Sequence, residues 1–595
     1  MSNFELVLRS PTGGVMVGGY SAVPDGVHGS HAVDRHGRPL IPATALRGAL
    51  REALEALLRG VGESACSGGD GLDPTQSEKG AVALPCVLDN GGRCKPCRLF
   101  GTQRAALGEG ERAFSALVLG DAHAEPGAVG WNIRPGIGIA RRSRSAEDGR
   151  LFMQRTPSTP GQSFTAHGRL LDPELQKYFE AAVRTTKHIG AGRSRGLARV
   201  DMEPTWQAPA RSAVTLAAKG DIRVRVTLLA PASIGAPVVH PSLRETRDEI
   251  PGAALRGAIG FALAEVLDDP NRDEPFQELV GTQGASFGFL FPVDSEGSTA
   301  GLSGPLPITA AACKQHGRAH GVIDTLLDRL AAALVTDAAQ VDAVERTTLS
   351  ECKECGQPLR TLAGWRRRSS PIPTRTITRV SLDRAHASAG DGLLFSQMLL
   401  EAGTVFEGVI RDVPERGRAH LARALALPLS LGRGRSAGWG RVKVEALAST
   451  KLAPLKDRAS GFDAALRAHL RKAGLTEERV GRLIPITLMS SLITEGEDDG
   501  EALLLRGLEG ATCFHKARRF SREGGWDQRQ RGMEPALATA AGSIFVIDLG
   551  PGRAWKDVLP WIERIEQQGI GARSHQGYGR AMAFDPMFLQ RTVQR

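Results

Sequence analysis

The segments GAGRSRGLARV (residues 190–200), GRGRSAGWGRV (432–442) and GIGARSHQGYGRA (569–581) are three versions of one loop. Glycine reaches positive φ without the penalty that a Cβ brings, so a glycine-dense chain can turn successive amides toward one point and cradle an anion. Arginine beside such a nest adds charge-assisted hydrogen bonds to the same oxygens. Gly190, Gly192, Arg193 and Arg195 carry this chemistry in the first copy, and Gly432, Arg433, Gly434, Arg435 and Arg441 carry it in the second. The third offers Gly571, Arg573 and Arg580. A Walker A loop is excluded because no Lys-Ser/Thr pair follows, and a dinucleotide turn because no suitable helix follows. Three copies of an Arg-Ser core, each near the end of a stretch, predict repeated phosphate binding and a chain built from three related units.

Working outward, IPATALRGALREAL (41–54) is echoed by IPGAALRGAIGFAL (250–263). In each a proline ends a strand and opens a helix. Leu46, Leu50, Leu54 and Leu57, and then Leu255, Ile259 and Leu263, fall at helical spacing. Arg47 and Arg256 stand in the first turns, where free amides and the helix dipole favour an anion, and Arg51 joins them as a phosphate-binding candidate. A routine core helix is the alternative; duplication of the arginine weighs against it. A further repeat, RSAEDGRLF (144–152) and HASAGDGLLF (386–395), reads as a protruding hairpin in two copies. Arginines crowd both approaches: Arg134, Arg141, Arg142 and Arg144 in one, Arg366, Arg367, Arg368, Arg375 and Arg379 in the other. Units are thus expected at 1–208, 209–450 and 451–595, opening with strands near 4–8, 222–229 and 484–492, with a polar connector at 448–457. The third unit lacks the LRG helix. The order strand, helix, strands, hairpin, Gly-rich loop predicts an α+β fold of tandem ferredoxin-like (RRM-like) βαββαβ modules.

Composition agrees. A chain of 595 residues should hold several domains. It contains no apolar run long enough for a membrane span, and its start alternates like a strand rather than a signal peptide, so a cytoplasmic protein is expected. The net charge of +10, rich in arginine, makes a polyanion the first partner to consider, against the plainer reading of a coding bias toward Arg. Aromatic residues are only 5%, with three tyrosines, which favours grip on a nucleic-acid backbone over rows of stacked bases.

A βαββαβ unit with an IPGxxLRG helix, a thumb-like hairpin and a terminal Gly-Arg loop resembles the RAMP superfamily of CRISPR-associated proteins. GRPLIPATALRGALR (37–51) is similar to the family's GRPYIPGSSLRGALR. Residues 1–208 resemble the backbone subunit of type III effector complexes. Residues 215–595 are similar to the type III-D subunit that caps the guide's 5′ end, through IPGAALRG, CKQH and HGVIDTLL (from 313 and 320), CKECGQPL (352–359) and the two later loops. The resemblance covers the chain and implies a backbone subunit fused to a handle-capping one. It implies a crRNA held by the loops and LRG helices, hairpins that kink the guide–target RNA duplex, and other backbone and large subunits as partners. Base pairing would then supply sequence specificity while the protein holds the backbone.

The family's catalytic aspartate lies in the loop before the IPG helix, acts with a divalent ion such as Mg²⁺, and follows the pattern Asp-x-Pro-Val-x-Arg-Asp. Setting Asp34 on the second aspartate puts His28 where the catalytic one belongs. Asp25 is the nearest carboxylate and the first candidate, with Asp34 the second. His28, His31 and His36 in the same loop offer acid–base chemistry, although surface histidines are more often inert. Three readings stay open: a metal-dependent endoribonuclease acting on target RNA, a non-catalytic guide-binding scaffold, and a metal-free guide-processing ribonuclease that uses histidine.

Of eight cysteines, six fall in clusters, at 86, 94 and 97 and at 313, 352 and 355, with Cys66 a more remote candidate. Cys94 and Cys97 with Cys86 and Cys66 would form one structural zinc site; Cys313, His316, Cys352 and Cys355 would form another, with His320 able to replace His316. Free buried thiols are the alternative. Cys513 is assigned nothing, and 491–526, with acids at 495–501 followed by Arg518, Arg519 and Arg522, reads as a surface excursion between strands.

Overall fold

The computed structural model describes residues 2–12, 14–15, 17–19, 29–63, 65, 93–101, 115–125, 127, 129–207, 214–217, 219–236, 242–281, 284–294, 301–383, 388–448, 452–494, 500–525 and 533–590. Three antiparallel sheets repeat one order. In the first unit Ser2–Ser10 is central, flanked by Asp201–Gln207 and Gln162–Leu170, and the latter pairs with Leu117–Leu119 and Ala122–Ala124. In the second, Ile222–Leu228 lies between Arg441–Leu447 and Val405–Arg411, which in turn pairs with Ser286–Phe287 and Phe291–Val293. In the third, Leu483–Leu488 lies between Ala581–Ala583 and Ile544–Asp548, with Thr512–Ala517 beyond. This 4-1-3-2 order is the ferredoxin-like arrangement expected from the sequence.

The second strand of each unit is broken at one place: at Gly120, at Gly288, and at a register shift between Cys513 and His515. Helices Ala43–Gly60 and Gly252–Ala264 follow the two prolines as predicted. In the first, Leu46, Leu50, Leu54 and Leu58 are all at most 4% exposed, each burial stabilising by about 1.5–3 kcal/mol. Pro42 supplies no side-chain cap, and Asp121 accepts the Ala43 N–H at 2.8 Å from across the sheet instead. In the third unit the five-residue helix Glu501–Leu505 stands where the LRG helix would be.

Both predicted hairpins form, Trp131–Ile139 with Ala146–Pro157 and Thr374–Asp383 with Ser388–Leu400. The 491–526 excursion contains half of a third, Phe520–Gly525 paired with Met533–Thr539. One crossing differs from the simple unit picture. Helices Leu326–Ala333 and Ala338–Thr347 lie inside the second unit's sequence, yet Leu326, Leu327, Leu330, Ala331 and Val344 join the same core as Phe462, Leu466, Ile484 and Phe545. The third core is too small to close alone: its LRG helix is missing, and these helices together with Leu455–Lys472 cover the exposed sheet. Among the described residues no helix is long and apolar enough to cross a membrane.

Candidate nucleic-acid interface and metal centre

The three Gly-rich loops share one backbone. Positive φ occurs at 190, 192, 196 and 198, at 432, 434, 438 and 440, and at 571, 573, 577 and 579, the same spacing of two, four and two residues each time. Between the second and third of these positions a single 3₁₀ turn forms: Arg193–Arg195, Arg435–Ala437 and Ser574–Gln576. Each loop is closed by equivalent bonds, Ile189 N–H to Ala198 C=O (2.8 Å), Leu431 to Gly440 (2.8 Å) and Ile570 to Gly579 (2.9 Å). Each is anchored by a buried side chain, Leu197, Trp439 or Tyr578. Two of the twelve positive-φ sites depart from glycine: Ala198 in the first loop and Arg573 in the third. The N–H groups of Arg193 and Ser194, of Arg435 and Ser436, and of Ser574 and His575 have no acceptor among the described residues. They head each turn together, an arrangement able to receive an anion.

The arginines diverge in what they face. Arg195 is exposed, and Arg193 is half-exposed with a loose 3.5 Å contact to Glu52. Arg433 is exposed too, whereas Arg435 pairs with Glu265 at 2.6 Å and lies over the Phe261 ring. Arg441 is largely buried with an Nε that has no partner among the described residues, and burial lowers its pKa. Arg573 also has a buried, unpartnered Nη1. Arg580 is committed, donating to Gln567 C=O and Ser286 Oγ.

Three expected phosphate ligands turn inward. Arg47 donates to Leu117 C=O (2.6 Å), Phe100 C=O (2.7 Å) and Ser115 Oγ (3.1 Å). Arg256 donates to Val280 C=O at 2.7 Å. Phe100 and Val280 each end the short helix that follows the LRG helix, so the duplicated arginine repeats a structural brace. Arg51 pairs with Glu55 and donates to Gly101 C=O, both at 2.6 Å. Burial pushes the Arg47 pKa down to about 10, the cost of holding that guanidinium inside.

The first hairpin carries Arg141, Arg142 and Arg144 exposed at its turn, Arg144 at φ 57°. Ile133, Ile137, Ile139 and Leu151 lie bare along its length. The second hairpin packs back on the first unit through Arg375, which bonds Asp121 at 3.0 Å, while Arg379 lies 4.1 Å over the Trp439 ring of its own unit's loop. The third hairpin repeats that docking on the second unit through Glu523 and Arg247, 2.6 Å apart. It escaped the sequence reading because no motif shared with the other two hairpins marks it; Arg518, Arg519 and Arg522 were the available signal. Arg366 and Arg367, read as part of a basic approach, instead pair internally with Asp585 and Glu407.

Asp25 and His28 lie outside the described residues. Asp34 accepts the His36 and Arg38 N–H groups (2.8 and 3.0 Å) and the Arg38 guanidinium, which together hold its carboxyl below the ordinary range despite burial. It is a loop staple, with its side chain only 8% exposed. Burial pushes His31 down to about 4, so it is neutral near pH 7 and not an acid–base group there.

Cys313, His320, Cys352 and Cys355 place their ligand atoms within 4.8 Å of one another. Cys313 and Cys355 Sγ are 3.6 Å apart, and Cys352 Sγ is 3.5 Å from His320 Nδ1. A tetrahedral zinc site needs about 3.8 Å between sulfurs and about 3.6 Å between sulfur and nitrogen, so these two separations are compatible with a metal ion held by the group. His320 thus replaces the first choice, His316, whose Nδ1 sits 3.7 Å from both Cys313 and Cys355 Sγ with its ring stacked on His320. Of the other expected site, Cys94 and Cys97 are buried about the short helix Lys95–Phe100, and Cys66 and Cys86 lie outside the described residues.

Residues 12–201, which contain the first sheet, its LRG helix, hairpin and loop, match the RAMP superfamily model. Over those residues the chain is similar to the RAMP superfamily. A search of curated proteins found no match. Among solved structures, a chain of the Type III-B Cmr-beta bound to cognate target RNA aligns at 12% identity and TM-score 0.32, covering 61% of this chain and 96% of that one. A chain of the same assembly with target RNA and AMPPnP aligns at 12% identity and TM-score 0.31, covering 57% and 88%. The loop and hairpin of the matched residues recur in the two units beyond them.

Proposed function

We propose that this protein is a crRNA-binding subunit of a type III CRISPR effector complex. The observation that carries the reading is the threefold loop: three nests of identical backbone, one in each RAMP-like unit, with exposed arginines at the first two. Nests set in series suit a ligand whose anionic groups repeat, and an RNA backbone is such a ligand. The first hairpin, with bare isoleucines and a basic turn, is fit to wedge against a base pair while contacting the flanking phosphates. In this reading 1–208 is the backbone-type domain, and 209–450 with 451–595 hold the guide's 5′ handle. Target RNA and the other backbone and large subunits are its partners, and the cytoplasm is its place.

The scaffold reading is favoured over a nuclease. Asp34 is engaged by Arg38 and two amides, which leaves Asp25 as the candidate for Mg²⁺-dependent cleavage. Zinc, when bound, would be structural: Cys313, His320, Cys352 and Cys355 would tie the strand Ala310–Cys313 to the 352–355 knuckle. The test is to reconstitute the complex with its guide and follow cleavage of a complementary RNA. Guide binding that falls in an Arg193→Ala/Arg195→Ala variant supports the assignment; unchanged binding and salt dependence would sink it. Loss of one product in Asp25→Ala would make the chain a nuclease as well.

A further inference from the structure

Between the second and third units lies a cavity of about 330 Å³, open to solvent and lined by Phe289, Phe291, Trp365, Ser521, Arg522 and Glu523 among others. Three features distinguish it from a packing defect. Its wall is aromatic in a chain poor in aromatics: Phe291 lies 5.6 Å from the Trp365 ring and 6.3 Å from a nearly parallel Phe289. At the equivalent junction of the first and second units, Asp121 and His123 occupy the places of Phe289 and Phe291, and Arg375 fills the space by bonding Asp121. At its base, two carboxylates share one arginine: Glu523 and Glu249 lie 2.6 and 3.1 Å from Arg247, and while Glu523 also accepts from Ser521 Oγ at 2.9 Å, Glu249 Oε2 is left as an acceptor. Finally, it adjoins the third Gly-rich loop, whose Tyr578 packs edge-on against Phe289 and reaches Glu523. Arg522, exposed at the rim, has no ion-pair partner among the described residues.

A flat ring system for stacking, carboxylate acceptors for ring or exocyclic N–H groups, and a cation at the mouth are the three requirements of a nucleotide's base and phosphate. We propose that this cavity is a nucleobase pocket that takes one unpaired base of the bound RNA, with Trp365 and Phe291 as the stacking wall and Arg522 on the adjacent phosphate. The inference rests on the RNA-binding reading above and adds to it a base-contacting site that backbone recognition alone does not require. It also gives a use to the 491–526 excursion, which supplies Ser491, Ser521, Arg522 and Glu523.

The test is a cycle between protein and RNA. Full-length protein is titrated with its single-stranded guide and with guides carrying one abasic nucleotide at successive positions. Trp365→Ala should weaken the unmodified guide about 5- to 150-fold, the equal of about 1–3 kcal/mol for one base–aromatic stack. At one guide position the abasic nucleotide should cost as much, and combining the two should cost no more than either alone. Ala541→Trp, which fills the cavity without removing any packing, should reproduce the result in a protein whose fold is undisturbed. Additive losses at every position, or full affinity in Ala541→Trp, would overturn the pocket while leaving RNA binding intact. Failure of the unmodified guide to bind would overturn the RNA reading and the pocket with it.

Discussion

Alanine placed at the third positive-φ glycine of each loop separates what the loop needs for itself from what it needs to dock. Gly196, Gly438 and Gly577 have φ of 74°, 71° and 87°. Left-handed backbone costs a residue with a Cβ about 1–2 kcal/mol, the same in all three. The surroundings differ. A Cβ on Gly438 would lie 2.3 Å from Gly120 Cα and 2.6 Å from Leu119 O, in the first unit. On Gly577 it would lie 2.5 Å from Phe287 O and 2.9 Å from Gly288 Cα, in the second. On Gly196 it would meet nothing within 4 Å. Backbone cannot rotate aside as a side chain can, so forced separation of the units adds a further loss of about 1–3 kcal/mol at the two docked loops. Gly196→Ala should therefore lower stability by about 1–2 kcal/mol, and Gly438→Ala and Gly577→Ala by about 2–5 kcal/mol. Denaturant titration of the whole chain, with limited proteolysis to report separation of the units, measures it. Equal losses at all three positions would refute the claim that the second and third loops dock through these glycines.

Cys355→Ser should lower the zinc found by elemental analysis of the purified chain and lower its melting temperature, with His320→Ala doing the same and His316→Ala less. Burial holds the Asp324 carboxyl up to about 7. The native state keeps that proton where the unfolded chain has lost it, so the contribution is full below the ordinary carboxyl range and is lost as pH rises toward about 7. Asp324→Asn should flatten that decline, read from denaturant midpoints at about pH 5 and about pH 8. Replacing Arg141, Arg142 and Arg144 together by Ala should reduce the slope of log affinity for single-stranded RNA against log salt by about 2, with little change in stability. Glu407 is fully buried among Arg223, Arg225 and Arg367, so Glu407→Gln should cost about 3–5 kcal/mol by removing the charge that the three cations share.

The loops were legible because glycine spacing is a direct record of backbone conformation: positive φ recurs where the glycines recur. The hairpins and the strand order were legible for similar reasons. The arginines were less so. A repeated arginine looks the same in sequence whether repetition serves a ligand or the fold, and Arg47 and Arg256 serve the fold through carbonyls that only tertiary contact brings near. Asp34 is another case, since its partner four residues on, Arg38, was read only as part of a family motif. The choice between His316 and His320 turns on strand geometry after Cys313, where a bulge shifts the register. The third hairpin shares architecture with the others but no motif, and the helices Leu326–Ala333 and Ala338–Thr347 carry an apolar face with nothing in the sequence to say which sheet it covers.

That last crossing bears on how such a chain can be inherited. Since Leu326, Leu327 and Leu330 are threaded from the middle of one unit into the core of the next, a break near residue 450 would leave an uncovered sheet on one side and a bare helical face on the other. The fragment after the break would lose part of its closed interior, while the second unit's own core, from Ile222 to Val444, would stay whole. The last two units form a single heritable block, whereas the first keeps its core to itself and is the part that recombination could exchange or discard.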